Sequence, residues 1–179
     1  MKLTETSIPG AFVVDIEYKE DERGFFARTW DEQLCADKGL SPSHMVQSST
    51  SLNHKRGTIR GMHFQKSPHA EAKLVRCTKG AIYDVVLDLR PDSPTYTKWF
   101  AVELSADNRR ALYIPEGCAH GFQTLEDETE ILYMMSAYYT PGAEGGARYD
   151  DPTFAISWPH EPTLVSDRDR TWPDWKKTS

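Results

Sequence analysis

The sequence predicts an all-β protein, a jelly-roll barrel with a few short peripheral helices, and three observations predict it. Apolar and β-branched residues alternate in short runs, among them 73–77, 81–89, 99–104 and 130–139, separated by turn residues. Eleven glycines, eleven prolines and 11% aromatic residues favour many turns and short strands over helices. A chain of 179 residues with 39% hydrophobic content buries roughly two-thirds of the surface its unfolded form exposes. That is enough for a single domain, residues 1–179, whose barrel mouth encloses a small-ligand pocket.

The elements follow in order. Thr4–Tyr18, with the apolar run Ala11-Phe12-Val13-Val14, reads as the first strand, Asp21–Gly24 as a turn and Phe25–Trp30 as the second strand. Asp31 is placed to cap a helix over Glu32–Lys38, the only substantial one expected, with Gly39 just beyond its end. Val46–Leu52 is polar and reads as a strand or loop at a solvated edge. In the central strand from Gly57 to Gln65, strict alternation would put Arg60 and His63 on opposite faces. The intervening Gly61 predicts a bulge that turns both toward one cavity.

Lys73, Val75 and Cys77 then share a face, Lys79-Gly80 makes a hairpin, and Ala81, Tyr83, Val85, Leu87 and Leu89 share the next. A proline-punctuated loop, Arg90–Pro94, precedes the strand Trp99–Leu104, and Asp107-Asn108 turns into Ala111–Ile114 and Pro115. Glu130–Tyr139 reads as the last long strand, with Ile131, Tyr133, Met135 and Tyr139 on one face and Tyr138 on the other. Residues 141–179, dense in Gly, Pro, Asp and Trp, read as an ordered extension packed on the barrel. No internal repeat and no low-complexity tract is visible.

Charge and composition exclude several function classes. A net charge of −6 with dispersed Lys and Arg argues against nucleic acid. No apolar run approaches the length of a membrane span, and the N-terminus lacks the plan of a secretory leader, so the cytoplasm is the expected address and no membrane partner is expected. Cys35, Cys77 and Cys118 are odd in number and widely spaced, which speaks against a disulfide framework or a zinc ribbon.

The chemistry gathers at Gly57–Gln65, at Lys73 and at Pro115-Glu116-Gly117-Cys118-Ala119-His120. The two longer stretches resemble the paired signatures of the cupins, in which metal-binding members place a second histidine two residues after the first; here that position is Gln65. This resemblance implies a cupin-type barrel without a metal, its remaining histidine free for other work. Each residue alone has a structural explanation, since strand lysines snorkel and inward tyrosines are ordinarily core. Together, however, a histidine base, a cation for an oxyanion and a tyrosine acid suit proton abstraction beside a carbonyl.

Asp21–Phe26, Gly57–Gln65, Ala72–Cys77, Asp84–Arg90 with Ser93-Pro94, Ile114–Phe122, Tyr138–Pro141, Asp150–Pro152 and Trp158-Pro159 resemble, in order and spacing, the dTDP-4-dehydrorhamnose 3,5-epimerase family. The resemblance covers nearly the whole chain. It implies a homodimer, free of metal and cofactor, that inverts C3 and C5 of a nucleotide-linked 4-keto-6-deoxy-hexose, dTDP in the first instance, in deoxysugar biosynthesis. By the family's pattern His63 is the base, partnered by Asp169 (with Asp167 the alternative register), Lys73 stabilises the enolate, and Tyr133 returns the proton from the opposite face. The same pattern places His120 and Tyr139 in the sugar pocket, Arg60 and Arg23 on the diphosphate, and Phe26 of the neighbouring subunit on the base.

Two positions depart from that pattern. Arg28 stands where thymidine-linked members carry a glutamate, and it can only donate hydrogen bonds. Gln47-Ser48-Ser49 replaces a Gln-x-Asn that also reads the base, so Ser49 is the changed residue. Both departures fall on base recognition and keep a CDP- or other NDP-linked sugar in view; an epimerase acting at C3 or C5 only is the alternative within the family. A sugar-nucleotide-binding barrel without turnover and a metal-dependent oxygenase are the readings from other classes. Gln65 in place of a second imidazole speaks against the oxygenase.

Overall fold

The computed structural model describes residues 1–176. Its fourteen strands and two short helices build the expected jelly roll. Strands β1 (Lys2–Glu5), β2 (Phe12–Asp15), β5 (Gln47–Asn53), β7 (Lys73–Lys79), β10 (Ala111–Ile114) and β12 (Thr129–Met135) form one sheet, in the order β1-β2-β10-β7-β12-β5. The facing sheet runs β13 (Glu144–Gly146), β6 (Thr58–Gln65), β11 (Cys118–Thr124), β8 (Ala81–Asp88), β9 (Trp99–Ser105), and β14 (Leu164–Val165) joins β6 in parallel. A separate hairpin pairs β3 (Lys19–Asp21) with β4 (Gly24–Phe26). Among the described residues no helix is long and apolar enough to cross a membrane.

The core lies between the sheets. Val75, Cys77, Leu112 and Ile131 from one meet Ile82, Val86, Leu104 and Phe122 from the other. Burying a side chain such as Ile131 or Phe122 stabilises the fold by roughly 1.5–3 kcal/mol. The two outer faces are also covered. Leu74 and Tyr113 pack under helix α1 (Glu32–Asp37) and Leu40, while Val85, Leu87 and Leu89 pack under Phe154, Ile156, Trp158 and Trp175 of the chain's last segment. The alternating apolar face of β8 therefore looks away from the barrel interior, and the interior face of that strand carries Asp84 beside Ile82 and Val86.

Local chemistry sets the boundaries. Asp31 caps α1, its carboxylate accepting from the Leu34 N–H at 3.0 Å, and Gly39 follows at φ +86°, a conformation that costs glycine little. Three expectations are corrected. The single strand over Thr4–Tyr18 is a hairpin of β1 and β2, with Leu3 opposite Val14, because Ile8-Pro9-Gly10 turns the chain between them. The strand over Phe25–Trp30 stops at Phe26, where its partner β3 begins; Arg28 then pairs with Asp31, and Trp30 stacks on Tyr113 at 6.2 Å. Likewise β12 ends at Met135 rather than Tyr139, since Ser136 turns to exchange bonds with Ala72.

The bulge in β6 is present. His63 pairs with His120 and Arg60 with Phe122, so Gly61 and Met62 together oppose Gly121 alone. Gly61 sits at φ +132°, and a Cβ there would lie 2.5 Å from the Gly121 Cα. Gly61→Ala is accordingly expected to destabilise the protein by roughly 1–3 kcal/mol from backbone strain and a similar amount from overpacking. A melting curve checks this, and an unchanged midpoint would contradict the close approach.

Candidate active site

Between the sheets a cavity of about 420 Å³ opens at one end of the barrel. The bulge delivers Arg60 and His63 to it from β6, and His120 and Phe122 come from the adjacent β11. From the facing sheet Lys73 enters on β7, and Tyr133 and Met135 on β12. The edge strand β5 contributes its alternate residues Gln47, Ser49 and Ser51, so its polar composition reflects a wall of this cavity as well as an edge. Tyr139 closes the rim, its hydroxyl donating to Glu144.

The register of the last segment brings Asp169 to His63. Strand β14 lies parallel to the start of β6, with Val165 beside Ile59, and Ser166 caps the four-residue helix α2 (Asp167–Arg170). Asp169 is thereby buried behind His63, while Asp167 is exposed. The Asp169 Oδ1 lies 2.5 Å from the His63 Nε2, and Oδ2 accepts from the Gly61 N–H at 3.2 Å. Burial pushes the Asp169 carboxyl up, but the bonds from His63 and Gly61 outweigh it and hold the group below the usual range. An ionised Asp169 accepts the proton on Nε2 and leaves Nδ1 of His63 as the free lone pair.

The other side chains are held as firmly. Lys73 Nζ donates to Glu71 at 3.1 Å and to the His63 carbonyl at 3.3 Å, with both members of the ion pair largely buried. The Arg60 Nε donates to Asn53 at 2.6 Å. His120 Nε2 lies 2.6 Å from the Oδ1 of Asp84, whose carboxyl burial pushes up. Burial likewise pushes the Tyr133 phenol up to about 12, and a hydrogen bond to Ser51 works the other way. Gln65 is engaged by the rim loop. Its amide donates to the carbonyls of His69 and Tyr138 and accepts from the Thr140 N–H, tying the rim loop to β6. Among the described residues no group of three or more His, Cys, Asp or Glu side chains is arranged to hold a metal ion.

The structure thus brings together His63, Asp169, Lys73, Tyr133, His120, Tyr139, Arg60, Gln47 and Ser49. Arg23, Phe26 and Arg28 do not reach this cavity within one chain. They lie on or beside the β3–β4 hairpin, Arg23 paired with Asp21 and Phe26 68% exposed. Phe26 and Arg28 line a second hollow of about 320 Å³ with Tyr18 and Asp31. Sequence reasoning missed Glu71, Asp84, Asn53 and Ser51, the hydrogen-bond partners of the named residues. Only Asp84, a carboxylate amid apolar β8, carried a signal.

The chain is similar to known proteins over nearly its whole length. The family described as dTDP-4-dehydrorhamnose 3,5-epimerase matches residues 5–177. The dTDP-4-dehydrorhamnose 3,5-epimerase of Shigella flexneri is 40% identical, with 94% of this chain and 93% of that protein aligned. The crystal structure of the Bacillus anthracis enzyme of that name, with TDP and pyrophosphate bound, superposes with a TM-score of 0.92 at 40% identity, covering 97% and 99% of the two chains. An epimerase from Legionella pneumophila in complex with dTDP-4-keto-L-rhamnose gives 0.86 at 34% identity, covering 94% and 89%. A motif series spanning the chain, a jelly roll superposing end to end and a matching family profile lead to one conclusion: the chain belongs to the dTDP-4-dehydrorhamnose 3,5-epimerase family.

Proposed function

We propose that this protein inverts C3 and C5 of a dTDP-linked 4-keto-6-deoxy-hexose through enolate intermediates, without metal or cofactor. The observation that carries the reading is the placement of His63, backed by Asp169, on one sheet and of Tyr133 on the facing sheet, with Lys73 lining the same cavity from the strand beside Tyr133. The 4-keto group acidifies the hydrogens on its neighbouring carbons. Nδ1 of His63 removes one, and the electron pair moves into an enolate whose oxygen Lys73 stabilises. Tyr133 then protonates the carbon from the other face, and the sequence repeats at the second carbon. His120 and Tyr139 line the sugar, and Gln47 and Ser49 reach toward the nucleotide.

Arg60 fits a diphosphate, which a guanidinium fork binds well. Because Arg23, Phe26 and Arg28 share one exposed hairpin region, we assign all three to the neighbouring subunit's site. In that homodimer Phe26 stacks on the base, Arg23 joins Arg60, and Arg28 donates to base carbonyls. The chain acts as one domain, with residues 141–176 packed on the barrel, and works in the cytoplasm on a small nucleotide sugar.

Chelation tests the reading. After dialysis against EDTA the purified protein is expected to convert dTDP-4-keto-6-deoxyglucose at an undiminished rate, followed by proton NMR. A rate that collapses on chelation and returns with iron or manganese would overturn it.

A further inference from the structure

Ser51 is a cavity-facing hydroxyl that the mechanism above does not use. Its Oγ lies 3.2 Å from the phenolic oxygen of Tyr133 and is that oxygen's hydrogen-bond partner among the described residues. The two are not opposite each other in the ladder. Tyr133 pairs with Ser49, and Ser51 with Ile131, so the tyrosine leans along the sheet to reach Ser51. The outward hydroxyls of the same strand are used otherwise, Ser48 and Thr50 donating to the backbone carbonyls of Tyr133 and Ile131 at 3.1 and 3.0 Å. The His120 ring stands edge-on to Tyr133, with centroids 6.1 Å apart.

We propose that Ser51 is the positioning residue for Tyr133, fixing the phenol for proton delivery and donating a hydrogen bond to the phenolate that each delivery leaves. The inference rests on the epimerase reading. In each half-reaction the Tyr133 O–H bond breaks, a C–H bond forms with the enolate's electron pair, and the ketone is restored. The phenolate then recovers a proton from water, and the His63 imidazolium loses one to water, so protons balance. A phenolate in this buried setting is costly, and a hydroxyl donor beside it lowers that cost. Hydrogen bonds to charged groups carry effects worth roughly 10–100-fold in rate.

The test separates exchange from inversion. In D2O, His63 can remove a proton, trade it for deuterium and return the deuterium to the same face, giving labelled substrate that has not inverted. Ser51→Ala is expected to lower inversion roughly 10–100-fold, with KM little changed, while exchange persists. The ratio of exchange to inversion in recovered sugar, read by mass spectrometry and proton NMR, therefore rises. Ser51→Thr, which keeps the hydroxyl, is expected to restore the parental ratio. A Ser51→Ala ratio equal to the parent's, with both rates high or both equally low, would overturn the assignment. Parent protein giving neither exchange nor inversion would instead overturn the epimerase reading, and this inference with it.

Discussion

Replacing His63 with alanine is expected to lower kcat roughly 10²–10⁴-fold, the usual range for a general base, and to stop inversion at both carbons. One imidazole serves both centres, because the 4-keto group activates the two flanking positions alike. The fold is expected to survive. The His63 side chain is 37% exposed, and β6 is held by backbone pairing to β11 and β13 rather than by this ring. Asp169 loses its main partner but keeps the Gly61 N–H. Turnover followed by proton NMR, beside a melting curve, checks both halves; near-normal turnover would remove His63 from the mechanism.

Lys73→Ala is expected to cost roughly 10²–10³-fold in kcat, the scale seen when one group stabilising a developing oxyanion is removed. The substitution also strands Glu71, a largely buried carboxylate then left with Gln65 at 3.3 Å. Leaving such a charge unpaired is itself destabilising. The double variant Lys73→Ala with Glu71→Gln removes that charge while keeping the shape of the side chain. It is expected to regain stability and not rate. Recovery of rate together with stability would show that Lys73 acts only by holding the fold.

Much of this architecture is legible in the sequence because it depends on local rules. The alternation of Val75 with Cys77, the Asp31 cap with Gly39, and the bulge implied by Gly61 each need only a few neighbouring residues. The failures have physical causes too. Thr4–Tyr18 carries enough apolar residues for one strand, and only pairing with β10 shows that its ends must fold back. Phe25–Trp30 has strand composition, yet β3 offers just three residues to pair with.

In the site, His63, Lys73 and Tyr133 suit the chemistry by residue type, and the family resemblance supplies their roles. The residues that hold them were not recognisable. Ser51 meets Tyr133 across 82 positions of sequence, and Asp84 meets His120 across 36. Neither pairing leaves a mark in local periodicity. The largely buried Glu71 looks like any loop carboxylate until its ion pair with Lys73 is seen.

The central claim is cofactor-free proton exchange at both carbons flanking one ketone, and deuterium incorporation tests it most directly. Incubation of the purified protein with dTDP-4-keto-6-deoxyglucose in D2O, read by mass spectrometry and proton NMR, is predicted to place one deuteron at C3 and one at C5 of the inverted sugar. A product labelled at a single carbon would contradict the assignment of both centres, and an unlabelled sugar would contradict the account as a whole.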